Sequence, residues 1–281
     1  MNKYQLCAFA DEASPKLSEQ IVAMRENNIE YLEMRGVNGT NVAKLTAAQA
    51  KDAARELSAA GLKVWSLGSP AGKSPITQDF AVEREQFLRL LETAEITGAR
   101  CIRLFSFYGT DGKPEYRDEV LERLSRFIDL AKGSGVILCH ENEKGIWGDN
   151  DVRCAEIHRA LPELKAVFDP ANFVQCNVDT LGAWELLKPY TYYGHIKDAL
   201  SDGKVVPAGK GEGNVAYVVK EFLAKGGRDM TIEPHLKVFD GLKALEESGN
   251  TSVVGGIYRY PDANTAFDAA CDAMKAILKE V

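Results

Sequence analysis

The chain has 281 residues, 45% hydrophobic and 27% charged, enough apolar material for a sizeable core and not the composition of a disordered polymer. A formal charge of −7 carries no basic footprint, so the phosphate-backbone grip of a nucleic-acid binder is not expected. No stretch approaches the roughly 18 continuous apolar residues of a membrane span, and MNKYQLCAFADEASP meets Asp11 and Glu12 too soon for a secretion signal, so a cytoplasmic protein without a membrane partner is expected.

In chain order, apolar β-rich segments alternate with segments of helical spacing. A strand at 4–10 precedes a helix at 17–27, and strands at 31–35, 63–67 and 101–107 precede helices at 47–60, 82–97 and 116–132. The second half repeats this, with strands at 136–141, 166–169, 192–197 and 230–234 and helices at 152–160, 182–187, 215–224 and 265–279. Gly61, Gly98, Gly133, Gly135, Gly226 and Gly227 each fall between a helix and the next strand, where αβ connections place glycine. Strict alternation over this length predicts an α/β fold with an all-parallel sheet closed as a (β/α)8 TIM barrel, a doubly wound open sheet being the alternative.

No Pro/Ser/Gly-rich linker or charge block divides the sequence, so residues 1–281 are read as one domain. The long irregular stretches are 70–78, 198–213 and 236–264. The six cysteines form no CxxC pair; Cys7, Cys101 and Cys139 lie inside apolar runs where a thiol serves as a small hydrophobe, and all six are read as reduced.

In such a barrel the residues at the C-terminal ends of the strands face the active-site mouth. Strand five (VILCHENE) delivers Glu141, strand six (AVFDPANF) Asp169, strand seven (YYGHIKDA) His195 and strand eight (MTIEPH) Glu233. Any one of them alone reads as a solvated loop carboxylate or a satisfied histidine. Three carboxylates and an imidazole gathered in one mouth call for a cation. An oxygen-rich set with one nitrogen suits Mn²⁺, Mg²⁺ or Co²⁺, with Zn²⁺ also accommodated.

Further residues share faces with these. His235 stands two beyond Glu233, and Lys197 two beyond His195, so both are candidate substrate contacts; Asp198 is placed at the loop start, with a surface salt bridge as the plain alternative for Lys197 and Asp198. Glu33 and Arg35 on strand two either hold a sugar hydroxyl or phosphate or form an internal ion pair, and Arg103 inside strand four is a candidate oxyanion or carboxylate contact with the same alternative. Trp147 and Phe105 either stack on a sugar face or belong to the core. The loop Gly209-Lys210-Gly211-Glu212-Gly213 either cradles a phosphate, with Lys210 adding charge, or leads into a helix without touching ligand. His140, which alternates away from Glu141, and His158 are read as structural.

Taken as a set, HENEKGIWGD at 140–149, FDPANF at 168–173, GHIKD at 194–198, PAGKGEG at 207–213 and IEPH at 232–235 resemble the sugar phosphate isomerase/epimerase family of xylose-isomerase-like barrels, related to ketose 3-epimerases and endonuclease IV. The resemblance spans essentially the whole chain. It implies a metal held by Glu141, Asp169, His195 and Glu233, with Glu141 and Glu233 also acting as the proton-transferring pair; Glu143 is the reserve candidate for Glu141 and otherwise a substrate contact. Asn172, counted among the substrate contacts, stands where the nuclease pattern would place a further histidine, and the four histidines of this chain are too few for that pattern.

The implied activity is a metal-dependent sugar or sugar-phosphate isomerase or epimerase. Its α-proton is acidified as an enediolate develops, a carboxylate removes it, and the second returns it to the opposite face or to the neighbouring carbon. An inosose-type polyol dehydratase, an endonuclease IV-like phosphodiesterase and a silent sugar-binding barrel are the alternatives. Related barrels often pair, so a homodimer is an expectation.

Overall fold

The computed structural model describes residues 4–238, 254 and 257–281. Eight parallel strands close into a barrel: β1 (Gln5–Ala8), β2 (Tyr31–Met34), β3 (Lys63–Leu67), β4 (Cys101–Leu104), β5 (Ile137–Glu141), β6 (Lys165–Phe168), β7 (Thr191–Ile196) and β8 (Asp229–Ile232). Closure is made by β1, which pairs with β2 through Cys7 and Tyr31 and with β8 from Gln5 opposite Asp229 to Ala8 opposite Ile232. The open-sheet alternative is thereby excluded.

The helices lie where the spacing places them: α1 (Leu17–Glu26), α2 (Ala47–Ala59), α3 (Phe80–Thr97), α4 (Arg117–Ala131), α5 (Asp151–Ala160), α7 (Thr180–Leu187), α8 (Val215–Ala224) and α9 (Ala263–Glu280). Their ends follow local chemistry. Thr46 and Gln49 form a reciprocal capping box at the start of α2, Asp79 caps α3, and Gly98 ends α3 at φ 72°, a left-handed turn that suits glycine.

One helix was not expected. The segment read as the end of strand six turns at once into α6 (Pro170–Gln175), with Asp169 as N-cap and Pro170 at its first position. The stretch 198–213 also contains a short antiparallel pair, Asp198–Ala199 with Val205–Val206. Most of 236–264 lies outside the described residues.

Inward-facing residues climb the barrel in steps of two, because successive strand side chains point to opposite faces. The lower layer is an apolar plug of Cys7, Trp65, Cys101, Cys139, Val167 and Tyr193. Two residues further along their strands stand Arg103, Glu141, Asp169 and His195, joined by Glu33 two beyond Tyr31 and Glu233 two beyond Thr231. The plug excludes water from beneath a charged upper layer. Outside the barrel, the second and much larger core lies between strands and helices, with Trp184 and Phe267 fully buried in it. All six cysteines are free, as read.

Candidate metal centre

The strand ends bring four residues to one place. One ligating atom each from Glu141, Asp169, His195 and Glu233 lies within 4.8 Å of the others, and all four side chains are buried. His195 stands between the carboxylates: its Nδ1 is 3.0 Å from Glu141 Oε1 and 3.4 Å from Glu233 Oε2, while Nε2 faces Glu33 Oε2 at 3.3 Å. Phe9 meets the imidazole edge-on at 5.2 Å and limits its tilt.

Each carboxylate also has a cation beside it. Arg103 Nη1 is 3.1 Å from Glu141 Oε2; Lys197 Nζ is 2.8 Å from Asp169 Oδ2 and 3.0 Å from Glu233 Oε2; Arg35 Nη1 is 3.2 Å from Glu233 Oε1. Burial acts to raise Glu141 and Glu233, but His195 and Arg103 hold the first below the usual carboxylate range, and Lys197, His235 and His195 hold the second well below it. Asp169 goes the other way. Burial pushes it up to about 6 against the pull of Lys197, and the like charges of Glu141 and Glu233 add to the rise. Burial disfavours the imidazolium of His195, yet Glu141 and Glu33 outweigh it and raise that group well above its ordinary value.

These residues fit a divalent cation on two counts. Glu141 Oε2 and Asp169 Oδ2 are buried and accept no hydrogen bond, although each has a cation nearby; buried polar oxygens are ordinarily satisfied. Asp169, raised first by burial and then by the like charges of Glu141 and Glu233 despite Lys197, is in addition a carboxylate that a cation would favour in its ionised form. The two oxygens of Asp169 are divided: Oδ1 accepts from Asn172 N at 2.9 Å as the cap of α6, and Oδ2 faces Lys197 and the centre.

The other candidates fall into three groups. Arg35, Arg103, Lys197 and Asn172 surround the centre, but as partners of its carboxylates: Asn172 Nδ2 donates to Glu141 Oε1 at 3.3 Å and to the Asn142 carbonyl at 2.9 Å. His235 is next to Glu233, its Nδ1 3.1 Å from Glu12 Oε1 and 3.7 Å from Glu233 Oε1. Glu143, the reserve candidate, lies outside the group of four and instead pairs with Lys73 at 2.9 Å and Lys144 at 3.1 Å.

Three readings are corrected. Trp147 is 3% exposed and belongs to the main hydrophobic core, so its ring is not offered to a sugar. Asp198 forms no surface salt bridge; it is fully buried, and the amides of Gly209 (2.9 Å), Gly211 (3.0 Å) and Gly213 (2.9 Å) converge on its carboxylate. The loop for which a phosphate cradle was one of two readings is thus closed around the protein's own anion, and Lys210 projects from it exposed. Gly211 is required there, as an added Cβ would stand 2.4 Å from Asp198 Oδ1. His140 and His158 are structural as read, bonded to Ser106 and to the Leu164 carbonyl.

Sequence reasoning missed Asp11, Glu12 and Lys73, and read Glu33 as a sugar or phosphate contact or half of an ion pair rather than as a partner of His195. Glu33 accepts from Thr231 Oγ1 at 2.7 Å and Tyr193 Oη at 2.9 Å, beneath His195. Its signal was present: it stands at an inward position between Tyr31 and Arg35. A cavity of about 880 Å³ opens at the opposite end among the strand starts, lined by Gln5, Tyr31, Trp65 and Asp229. That face of such a barrel serves stability rather than chemistry.

A closed parallel barrel with a carboxylate-rich, histidine-bearing centre at its strand ends defines the class of the xylose-isomerase-like barrels. A family model described as Xylose isomerase-like TIM barrel matches residues 21–252, and the chain belongs to that family. Among solved structures it is similar to the probable 3-DHS dehydratase AsbF from Bacillus anthracis, involved in petrobactin synthesis (17% identity, TM-score 0.73, covering 98% of this chain and 99% of that one). It is also similar to the IolI protein with a bound zinc atom (15%, 0.72, 98% of each chain). A third is D-allulose 3-epimerase from Methylomonas sp. in complex with D-allulose (14%, 0.73, 99% and 97%). At these identities the likeness is one of fold. No curated protein sequence matches the chain.

Proposed function

We propose that the protein is a divalent-metal-dependent sugar isomerase or epimerase that moves a proton with Glu141 and Glu233. The observation that carries this is the pair itself: two buried carboxylates from different strands flank one imidazole nitrogen, at 3.0 and 3.4 Å. Glu141, Asp169, His195 and Glu233 would hold the ion, and when bound it would supply Lewis-acid polarisation of a carbonyl and its neighbouring hydroxyl. The residues themselves do the rest. Arg103 and Asn172 orient Glu141, while Arg35 and Lys197 orient Glu233, so each base is fixed relative to the substrate carbon between them. One carboxylate takes the α-proton and the other returns a proton from its own side.

A dehydratase would use the same base and expel a β-hydroxyl instead; the likeness to AsbF keeps that reading in view. The test is to incubate metal-loaded protein with ketoses and an inosose in deuterated water. Deuterium at a sugar carbon without loss of water is expected, and Glu141→Gln and Glu233→Gln should each lower turnover at least 100-fold, on the order of a general acid–base contribution. Loss of water from the inosose with no exchange into any ketose would replace the proposal by the dehydratase.

A further inference from the structure

We propose that Arg35 takes the place of a second metal ion and keeps the centre mononuclear. The inference rests on the metal-centre reading above and goes beyond it. A second ligating group stands beside the first: Glu12, Glu233 and His235 are buried and bring one ligating atom each within 4.8 Å of one another. Glu233 belongs to both groups. A carboxylate shared by two such groups is the arrangement of a two-metal site, whose ions stand roughly 3.5–4 Å apart.

The guanidinium of Arg35 is bound to that second group. Its Nη2 is 2.9 Å from Glu12 Oε1 and its Nη1 3.2 Å from Glu233 Oε1, while Nε and Nη2 form a fork on Asp11 at 2.9 and 3.0 Å. It therefore draws on oxygens that a second ion would need, and it supplies a permanent positive charge in a planar array of donors. The carbon end of the group lies 4.3 Å from the centre of the Phe9 ring.

The surrounding backbone is shaped for this arrangement. An added Cβ at Gly36 would come to 3.0 Å from Asp11 Oδ2, and one at Gly68 to 2.4 Å from the Phe9 ring and 3.3 Å from Arg35 Cβ. Both glycines make room for the Arg35 clamp. His235 sits at φ 44°, a left-handed conformation that costs a non-glycine residue energy, and its amide donates to Glu12 Oε2 at 2.6 Å. Two carboxylates and an imidazole are thus assembled with care around an organic cation.

Removing that cation leaves Asp11, Glu12 and Glu233 buried with too little positive charge, a state that recruits a proton or a metal. Arg35→Met keeps much of the stem and deletes the charge. Protein stripped by a chelator and titrated with Mn²⁺ is read by elemental analysis and by electron paramagnetic resonance. Wild type should bind one ion per chain, with the spectrum of isolated Mn²⁺. Arg35→Met should bind two, with the spectrum of a spin-coupled pair, and Arg35→Met/His235→Ala should return to one.

Two ions in wild type, or a single ion in folded Arg35→Met, overturns the proposal and leaves the function intact. Wild type that binds none overturns the metal centre and this inference together. Where Arg35→Met does not fold, Asp11→Asn/Arg35→Met also removes the carboxylate charge that the fork of Arg35 holds and gives the same reading. The wild-type stoichiometry at millimolar Mn²⁺ stands as a test in either case.

Discussion

Replacing Glu33 by glutamine tests whether the centre is built from below as well as from its ligands. Glu33 is fully buried and touches no candidate ligand except His195, whose Nε2 lies 3.3 Å from its Oε2. With Nδ1 turned to Glu141 and Glu233, Nε2 is the nitrogen that must carry the proton, and a carboxylate partner fixes that tautomer. Glutamine keeps the volume but presents one oxygen and one NH₂ where two acceptor oxygens had stood. The hydroxyls of Thr231, Tyr193 and Ser66 can rotate to accept, whereas a protonated Nε2 cannot.

Glutamine can still turn its oxygen to Nε2, so the change is from a charged to a neutral acceptor, at a cost of about 1–1.5 kcal/mol, or roughly a 5- to 10-fold weaker metal affinity, at the lower edge of what partners that orient a ligand contribute. The assay is Mn²⁺ affinity by competition with a fluorescent chelator, with circular dichroism to confirm the fold. A dissociation constant within twofold of wild type in folded Glu33→Gln would refute the assignment of Glu33 as the residue that sets His195.

Two further outcomes follow from groups away from the candidate metal centre. Burial depresses His158 from 6.5 to about 4, so the unfolded chain takes up a proton there before the folded one does. Stability contributed by neutral His158 is complete above pH 6.5 and is lost as pH falls toward 4, in all about 3 kcal/mol; urea unfolding from pH 7.5 to 4.5 should show a flatter profile for His158→Gln, and parallel profiles would refute this. Asp198→Asn turns one of two acceptor oxygens into a donor facing loop amides, at a cost of about 3 kcal/mol. Hydrogen exchange at Gly209, Gly211 and Gly213 should speed up, and unchanged protection would show that the Asp198 carboxylate does not organise the loop.

The barrel was legible because its signal is local and repeated: apolar runs, helical spacing and glycine at the helix ends each act over a few residues. The same holds for Glu141, Asp169, His195 and Glu233, each marked by the apolar strand before it. The clamp around Arg35 was not legible. Arg35 meets Asp11 across 24 residues and Glu233 across 198, and only closure of β1 against β8 brings Asp11 and Glu12 alongside Glu233. Helix α6 was missed for another reason, since an aspartate followed by proline is a helix start, but the same residues also read as a metal-bearing strand end, and Asp169 is placed to do both.

The loop at 207–213 shows how a correct local argument can reach the wrong partner. Its glycines do let backbone N–H groups converge on an anion, which is what the spacing of Gly209, Gly211 and Gly213 predicts. The anion is Asp198, 11 to 15 residues earlier in the chain, and it takes both the charge and the space that a phosphate would need. Arg35, also considered for a phosphate, and Arg103, considered for an oxyanion, are committed in the same way to carboxylates of the barrel. A sequence shows which groups can hold a charge; which charge they hold is set by the nearest one that folding delivers, and in this barrel the chain delivers its own.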